Sequence, residues 1–158
     1  MNVKTRMQGP LEDAKPSIRL KLASIWTSFM FLYIYVDYFH LYMPNSLEDM
    51  LAGRVFVFDV TQSYLVASLI SVMIPALMIF LSVALPAKVN RWTQIVIATI
   101  YIPYTLVNLA GEAWVHMMIG AGVEVSLLLL VIYFAWTWPR TESREASEAR
   151  EPDPRPAI

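Results

Sequence analysis

The chain contains no cysteine, which excludes disulfides, a thiolate nucleophile and cysteine-ligated iron–sulfur clusters, and removes the usual clue to redox compartment. Glycine is scarce. Five glycines in 158 residues form neither a GxGxxG nor a GxxxxGK[ST] arrangement, so no glycine-rich loop is expected to cradle a phosphate. Charge of one sign is missing too: a formal net charge of −1 provides no basic field to hold nucleic acid. No serine sits in a G-x-S-x-G setting, so a nucleophile elbow is not expected. No cofactor is predicted.

What remains is apolar. Hydrophobic residues make up 57% of the chain and the mean hydropathy is +0.50, too high for an ordinary soluble domain. Four segments, 22–43, 60–85, 92–115 and 117–138, are each long enough to cross a hydrocarbon core, which takes roughly 20 helical residues. The first is too long for a signal-peptide core and leads into MPNSLED rather than a small-residue cleavage site, so it reads as a retained helix. The expected fold is all-α: an integral membrane four-helix up-down-up-down bundle spanning 22–138, with a basic tail over 1–21 and a disordered tail over 139–158 rich in charge and proline. No internal repeat relates the first helix pair to the second.

Lysine and arginine set the expected orientation, because they concentrate on cytoplasmic flanks. Lys4, Arg6, Lys15, Arg19 and Lys21 precede the first helix, Lys88 and Arg91 lie in the PAKVNR connection, and Arg140, Arg144, Arg150 and Arg155 follow the last helix. The first connection has only Arg54 and the third has none. Both termini are therefore placed inside, in the cell (inner or plasma) membrane. Trp26, Trp92, Trp136 and Trp138 fall at the inner ends, as interfacial indoles would. The first outer connection carries Ser46-Leu-Glu-Asp49, a capping-box-like start, with Gly53 as a stop and the apolar VFVF of residues 55–58 after it; a short interfacial helix is expected there.

Polar residues within a membrane are costly and need individual explanation. Counting about 1.5 Å per residue from the inner ends, Asp37 and Glu124 lie at one level, about 21 to 22 Å up, with Asn108 and Ser68 at about 24 to 25 Å. Helical spacing adds Tyr33, Asp37 and His40 on one face of the first helix and Tyr101, Tyr104, Asn108 and Glu112 on the third. The expectation is a polar pocket opening outward, built from Asp37, Glu124, His40, Asn108, Tyr33, Tyr104 and Ser68 and capped by Trp114, His116 and the outer loop. Two carboxyls meeting there without a cation would share a proton. They could equally be a hydrogen-bonded pair that only sets register, and a further alternative brings Arg54 inward to latch one of them.

A metal site is not predicted, although Asp37-x-x-His40 and Glu112-x-x-x-His116 are the spacings from which one would be built. Pro75 and Pro103 interrupt helices and free the carbonyls of Ser71 and Thr99, where nearby hydroxyls could restore hydrogen bonding. Kinks there would widen the outer half.

The runs "LKLASIWTSFMFLYIYVDYFHLYMP", "VTQSYLVASLISVMIPALMIFLSVALPAKVNRW" and "GVEVSLLLLVIYFAWTWP" resemble a family of small four-helix prokaryotic membrane proteins classed as a domain of unknown function, through its ADYF-like and LPxKVNRW-like phrases. The resemblance covers about residues 18–139 and implies no activity. In architecture alone the chain is also similar to DoxX-like four-helix membrane proteins. Three functions are compatible with the residues: a binding or accessory protein holding a small molecule, lipid or quinone-like ring; a proton-coupled transporter acting as an oligomer; and a membrane isomerase or oxidoreductase using a carboxylic acid and His40. The first fits the polar layer best. The expected partners are the bilayer, a small hydrophobic ligand and further copies of the chain, but not nucleic acid.

Overall fold

The structure, a computed structural model, describes residues 15–55, 57–109 and 114–139. The tail expectations for 1–14 and 140–158, and the candidate Glu112, lie outside the described residues. In chain order the elements are α1 (Ile18–His40), α2 (Ser46–Leu51), β1 (Arg54–Val55), β2 (Phe58–Asp59), α3 (Gln62–Ala84), α4 (Ala87–Val107) and α5 (Val115–Trp136). The chain is thus mostly helical. Of the four long helices, α1, α3 and α5 are long and apolar enough to cross a membrane by length and composition. α4 falls short because its first two turns carry Lys88, Asn90, Arg91 and Gln94.

Local chemistry accounts for the helix ends. The Ser17 side chain accepts a hydrogen bond from the Leu20 amide at 3.3 Å and starts α1; Thr61 does the same for α3 through the Tyr64 amide at 3.1 Å, each satisfying an amide that the first turn leaves free. α3 ends because Pro86 holds Leu85 extended (ψ 149°). The same proline then stands at the N-cap of α4. Here the sequence reading is corrected: PAKVNR is the first turns of a helix rather than a connection, and the hairpin between α3 and α4 is reduced to Leu85 and Pro86. The other helix ends shift by a few residues, and α4 stops at Val107, eight residues short of the expected 115.

The connection between α1 and α3 contains the expected short helix, α2, although its start differs from expectation. Asn45, not Ser46, is the N-cap of α2, in the left-handed region at φ 66°. Gly53 ends the segment at φ 78°, where a residue with a Cβ would be strained. β1 and β2, which take in the two ends of the VFVF stretch, then form a two-stranded antiparallel ribbon with Arg54 opposite Asp59 and Val55 opposite Phe58. Four residues of strand in an otherwise helical chain are too short to show a period of two.

α1 packs along α3 and α5, and α4 along α5, while α3 and α4 touch less. Side-chain contacts fix the directions. Arg19, at the start of α1, donates to the Val83 and Leu85 carbonyls at the end of α3, both at 2.7 Å, and lies over the Trp138 ring beyond the end of α5. Arg91, near the start of α4, lies over Trp136. α1 therefore runs antiparallel to α3 and α5, and α4 antiparallel to α5.

Leu22, Trp26, Phe29 and Tyr33 line the buried side of α1 at spacings of four, three and four, the helical period. α5 contributes Gly120, Ala121, Glu124, Leu128, Val131 and Ala135. α4 is inverted relative to a water-soluble helix: its buried residues are Asn90, Gln94, Ala98, Tyr101 and Thr105, whereas Val89, Trp92, Val96, Ile100 and Leu106 face outward. α3 buries only Pro75, Met78 and Ser82. From Gln62 to Ile74 none of its residues is buried, so α3 is packed into the bundle only in its C-terminal half.

Candidate functional site

At the end of the bundle where α1 and α4 begin, the interior holds a polar cluster that sequence reasoning missed. Trp26 donates its indole N–H to Gln94 Oε1. Gln94 Nε2 donates to Ser82 Oγ at 2.8 Å and to Asn90 Oδ1 at 2.9 Å. Asn90 donates to the Ser82 carbonyl at 2.6 Å, and Ser82 Oγ to the Met78 carbonyl at 2.6 Å. Trp26, Ser82, Asn90 and Gln94 are all 0% exposed. A network this well satisfied holds three helices in one register, since any partner lost leaves another polar group buried and unpaired. It corrects the assignment of Trp26 as an interfacial indole. The signal was present in the spacing Asn90, Gln94, Ala98, Tyr101, Thr105, a helical period that begins inside PAKVNR.

About two turns further along α4, proline chemistry is resolved by a neighbouring helix. Pro75 cannot donate to the Ser71 carbonyl, and Tyr101 on α4 donates its hydroxyl to that carbonyl at 2.6 Å. Ser71 Oγ turns back to the Ser68 carbonyl at 2.7 Å. Above them Tyr33 and Tyr104 hydroxyls meet at 3.4 Å. Trp26, Phe29, Tyr33, Tyr101 and Tyr104 form an aromatic cluster that branches at Phe29, with neighbouring ring centroids 5.5 to 6.2 Å apart.

The carboxylate layer follows. Glu124 is 4% exposed, beside the Thr105 hydroxyl and within electrostatic range of Asp37; Thr105 Oγ1 itself is buried without completing a hydrogen bond. Asp37, however, is exposed on the flank of α1. The physical reason is helical phase. A Cβ at Gly120 would lie 2.6 Å from Val36 Cγ2, so Val36 is the residue turned onto α5, and Asp37 is rotated about 100° from it. The carboxyls are neighbours of unequal burial.

The remaining candidates separate. Asn108 is exposed at the C-cap of α4 and Ser68 is half-buried on α3. His116 is the second residue of α5, with Nε2 buried and unpartnered and its ring 6.3 Å from that of Trp114. Arg54 does not latch Asp37 or Glu124: it pairs with Asp49 of α2, N to O 3.4 Å, both side chains more than half exposed. The described residues contain no group of three or more histidines or acids placed to hold a metal ion.

His40 goes elsewhere. It lies at the end of α1, where a cavity of about 240 Å³ forms beneath α2 and the β ribbon. The polar lining is His40, Ser46, Asp49 and Arg54, and the apolar lining includes Met43, Met50, Val55 and Val57. Ser46 is 9% exposed and its hydroxyl has no partner.

Residues 14–145 match a family of unknown function, DUF6326. The chain belongs to that family. The match bears out the resemblance drawn over residues 18–139, and DUF6326 membership carries no activity with it. Neither the curated proteins nor the solved structures contain a match.

Proposed function

We propose that this DUF6326 protein is a multi-pass membrane protein that binds a small ligand on the extracytoplasmic side, in the cavity beneath α2. Support for the membrane setting comes from its outer surface. Phe31, Ile34, Leu69, Phe80, Ile100, Ile119 and Leu129 are each at least half exposed, a density of apolar surface that water does not tolerate. α4 completes a four-helix up-down-up-down arrangement as the fourth span, its amides turned into the bundle. Lys21 over Phe134 and Arg91 over Trp92 join Arg19 and Trp138 in a cation–aromatic belt at one end, the pattern of a cytoplasmic interface. Both termini then lie inside the cell.

The single observation that carries the binding reading is the unpartnered Ser46 hydroxyl in a roofed cavity that also presents an imidazole and an ion pair. A buried polar group without a partner is costly, and an occupant of the cavity would satisfy it. Thermal melting of the purified full chain against a panel of quinone-like rings, lipids, small polar molecules and metal ions tests this, with Val57→Trp filling the cavity. A stabilising ligand whose effect Val57→Trp removes is the expected result. If no ligand in the panel discriminates the two proteins, the reading fails.

A second reading, proton-coupled transport by an oligomer, is favoured by Glu124, a nearly fully buried acid whose neighbours are Thr105 and Asp37 rather than a cation. Proton flux in proteoliposomes that is lost in both Glu124→Gln and Asp37→Asn would support it; equal flux in both variants would end it.

A further inference from the structure

We propose that the ligand of this cavity is a soft monovalent metal ion, cuprous or silver, held by His40, Met43 and Met50. The inference rests on the reading of the cavity as a binding site and names the chemistry of its occupant. His40 is the last residue of α1 and Met43 follows three residues on, while Met50 comes from α2; all three line the same space. Met43 is 8% exposed, its thioether turned away from the surface. No side-chain hydrogen bond to another described residue engages His40.

The donor set selects the metal. Thioether sulfur is a weak hydrogen-bond acceptor but a good ligand for soft cations such as Cu(I), while imidazole suits many transition metals. Hard cations need several oxygen donors. Asp49 is the one carboxylate in the lining, and it is engaged by Arg54. A zinc site of the usual kind needs three or four nitrogen, thiolate or carboxylate ligands; His40 and Asp49 are two, and the chain has no cysteine.

Two further features agree with a cation. Among the described residues at the outer end, Asp37, Glu48, Asp49 and Asp59 face a single guanidinium, Arg54, a balance that draws positive ions. Both histidines of the chain, and Met43, Met50, Met117 and Met118 of its nine methionines, lie at this end. The Ser46 hydroxyl, buried in the same wall, is placed to hold a water molecule completing the coordination.

The test is titration of the full chain, purified in detergent without chloride, with silver nitrate, which needs no reductant. One ion per chain is expected. Met43→Leu and Met50→Leu conserve volume and should each weaken binding about tenfold or more, since even the outer partners of metal ligands are worth that much. The Met117→Leu/Met118→Leu double variant should bind as the parent does. Where Met43→Leu does not fold, Met50→Cys reads the same site in the opposite direction, a thiolate tightening silver at least about tenfold. Silver affinity unchanged in both leucine variants, or zinc bound as tightly as silver, would overturn the assignment. A chain that ignores silver yet is stabilised by another ligand, with Val57→Trp removing the effect, would refute the metal and leave the binding reading standing.

Discussion

Gly120 and Gly122 lie two residues apart on α5, and replacing each with alanine should move stability in opposite directions. Gly122 is exposed, and a methyl there meets nothing within 4 Å; the substitution then gains only helix propensity, up to about 1 kcal/mol. At Gly120 the new methyl would lie 2.6 Å from Val36 Cγ2, roughly 1 Å inside the favourable carbon–carbon separation. Val36 is β-branched and stiff in a helix, so either it leaves its rotamer or α1 and α5 separate. Overpacking of this kind costs about 1–3 kcal/mol, which outweighs the propensity gain. Melting of the purified protein in detergent should show Gly122→Ala at or above the parent and Gly120→Ala below it. Adding Val36→Ala should relieve the clash, so the Val36→Ala/Gly120→Ala pair should be more stable than the two separate effects sum to. Equal melting of Gly120→Ala and Gly122→Ala would refute the α1–α5 register, and with it the account of why Asp37 stands on the flank.

Gln94→Leu should destabilise by about 1–3 kcal/mol or more, because it strands the Trp26 indole N–H and the Asn90 amide oxygen; a lowered melting temperature would check it. Tyr101→Phe should cost about 1–3 kcal/mol by leaving the Ser71 carbonyl unpaired, and the cost should shrink in a Pro75→Ala background, where the backbone N–H of residue 75 returns to that carbonyl. Asp49→Asn should change the melting temperature little, since an exposed ion pair is worth up to about 1 kcal/mol.

The features most legible in the sequence were the Gly53 stop and the long apolar helices, which follow from composition and spacing, whereas the Ser17 and Thr61 caps went unread because the helices were expected to start at residues 22 and 60. The Ser71 carbonyl freed by Pro75 was also foreseeable, although the hydroxyl that reaches it comes from Tyr101, which only packing can decide. Two errors share a cause. Lys88, Asn90 and Arg91 look like a hydrated turn when polarity is taken as exposure, yet Asn90 is fully buried because among helices with apolar outer faces the bundle interior is where an amide finds partners. Trp26 was misassigned for the same reason, its indole N–H being satisfied by Gln94 and not by water. The candidate site depended on helical phase. Asp37 and Val36 differ by one position, and the contact of Val36 with Gly120 chooses between them. His40 was recognised as a candidate, but its partners in the cavity lie across a turn and a short helix whose path the sequence does not dictate.

The sidedness of the cavity can be measured directly, since a chain without cysteine accepts single reporters cleanly. In intact cells, a cysteine replacing Asp49 should react with a membrane-impermeant maleimide, and one replacing Lys88 should react only after permeabilisation. Labelling of Lys88→Cys from outside, with Asp49→Cys protected, would invert the bundle and place the proposed binding site in the cytoplasm.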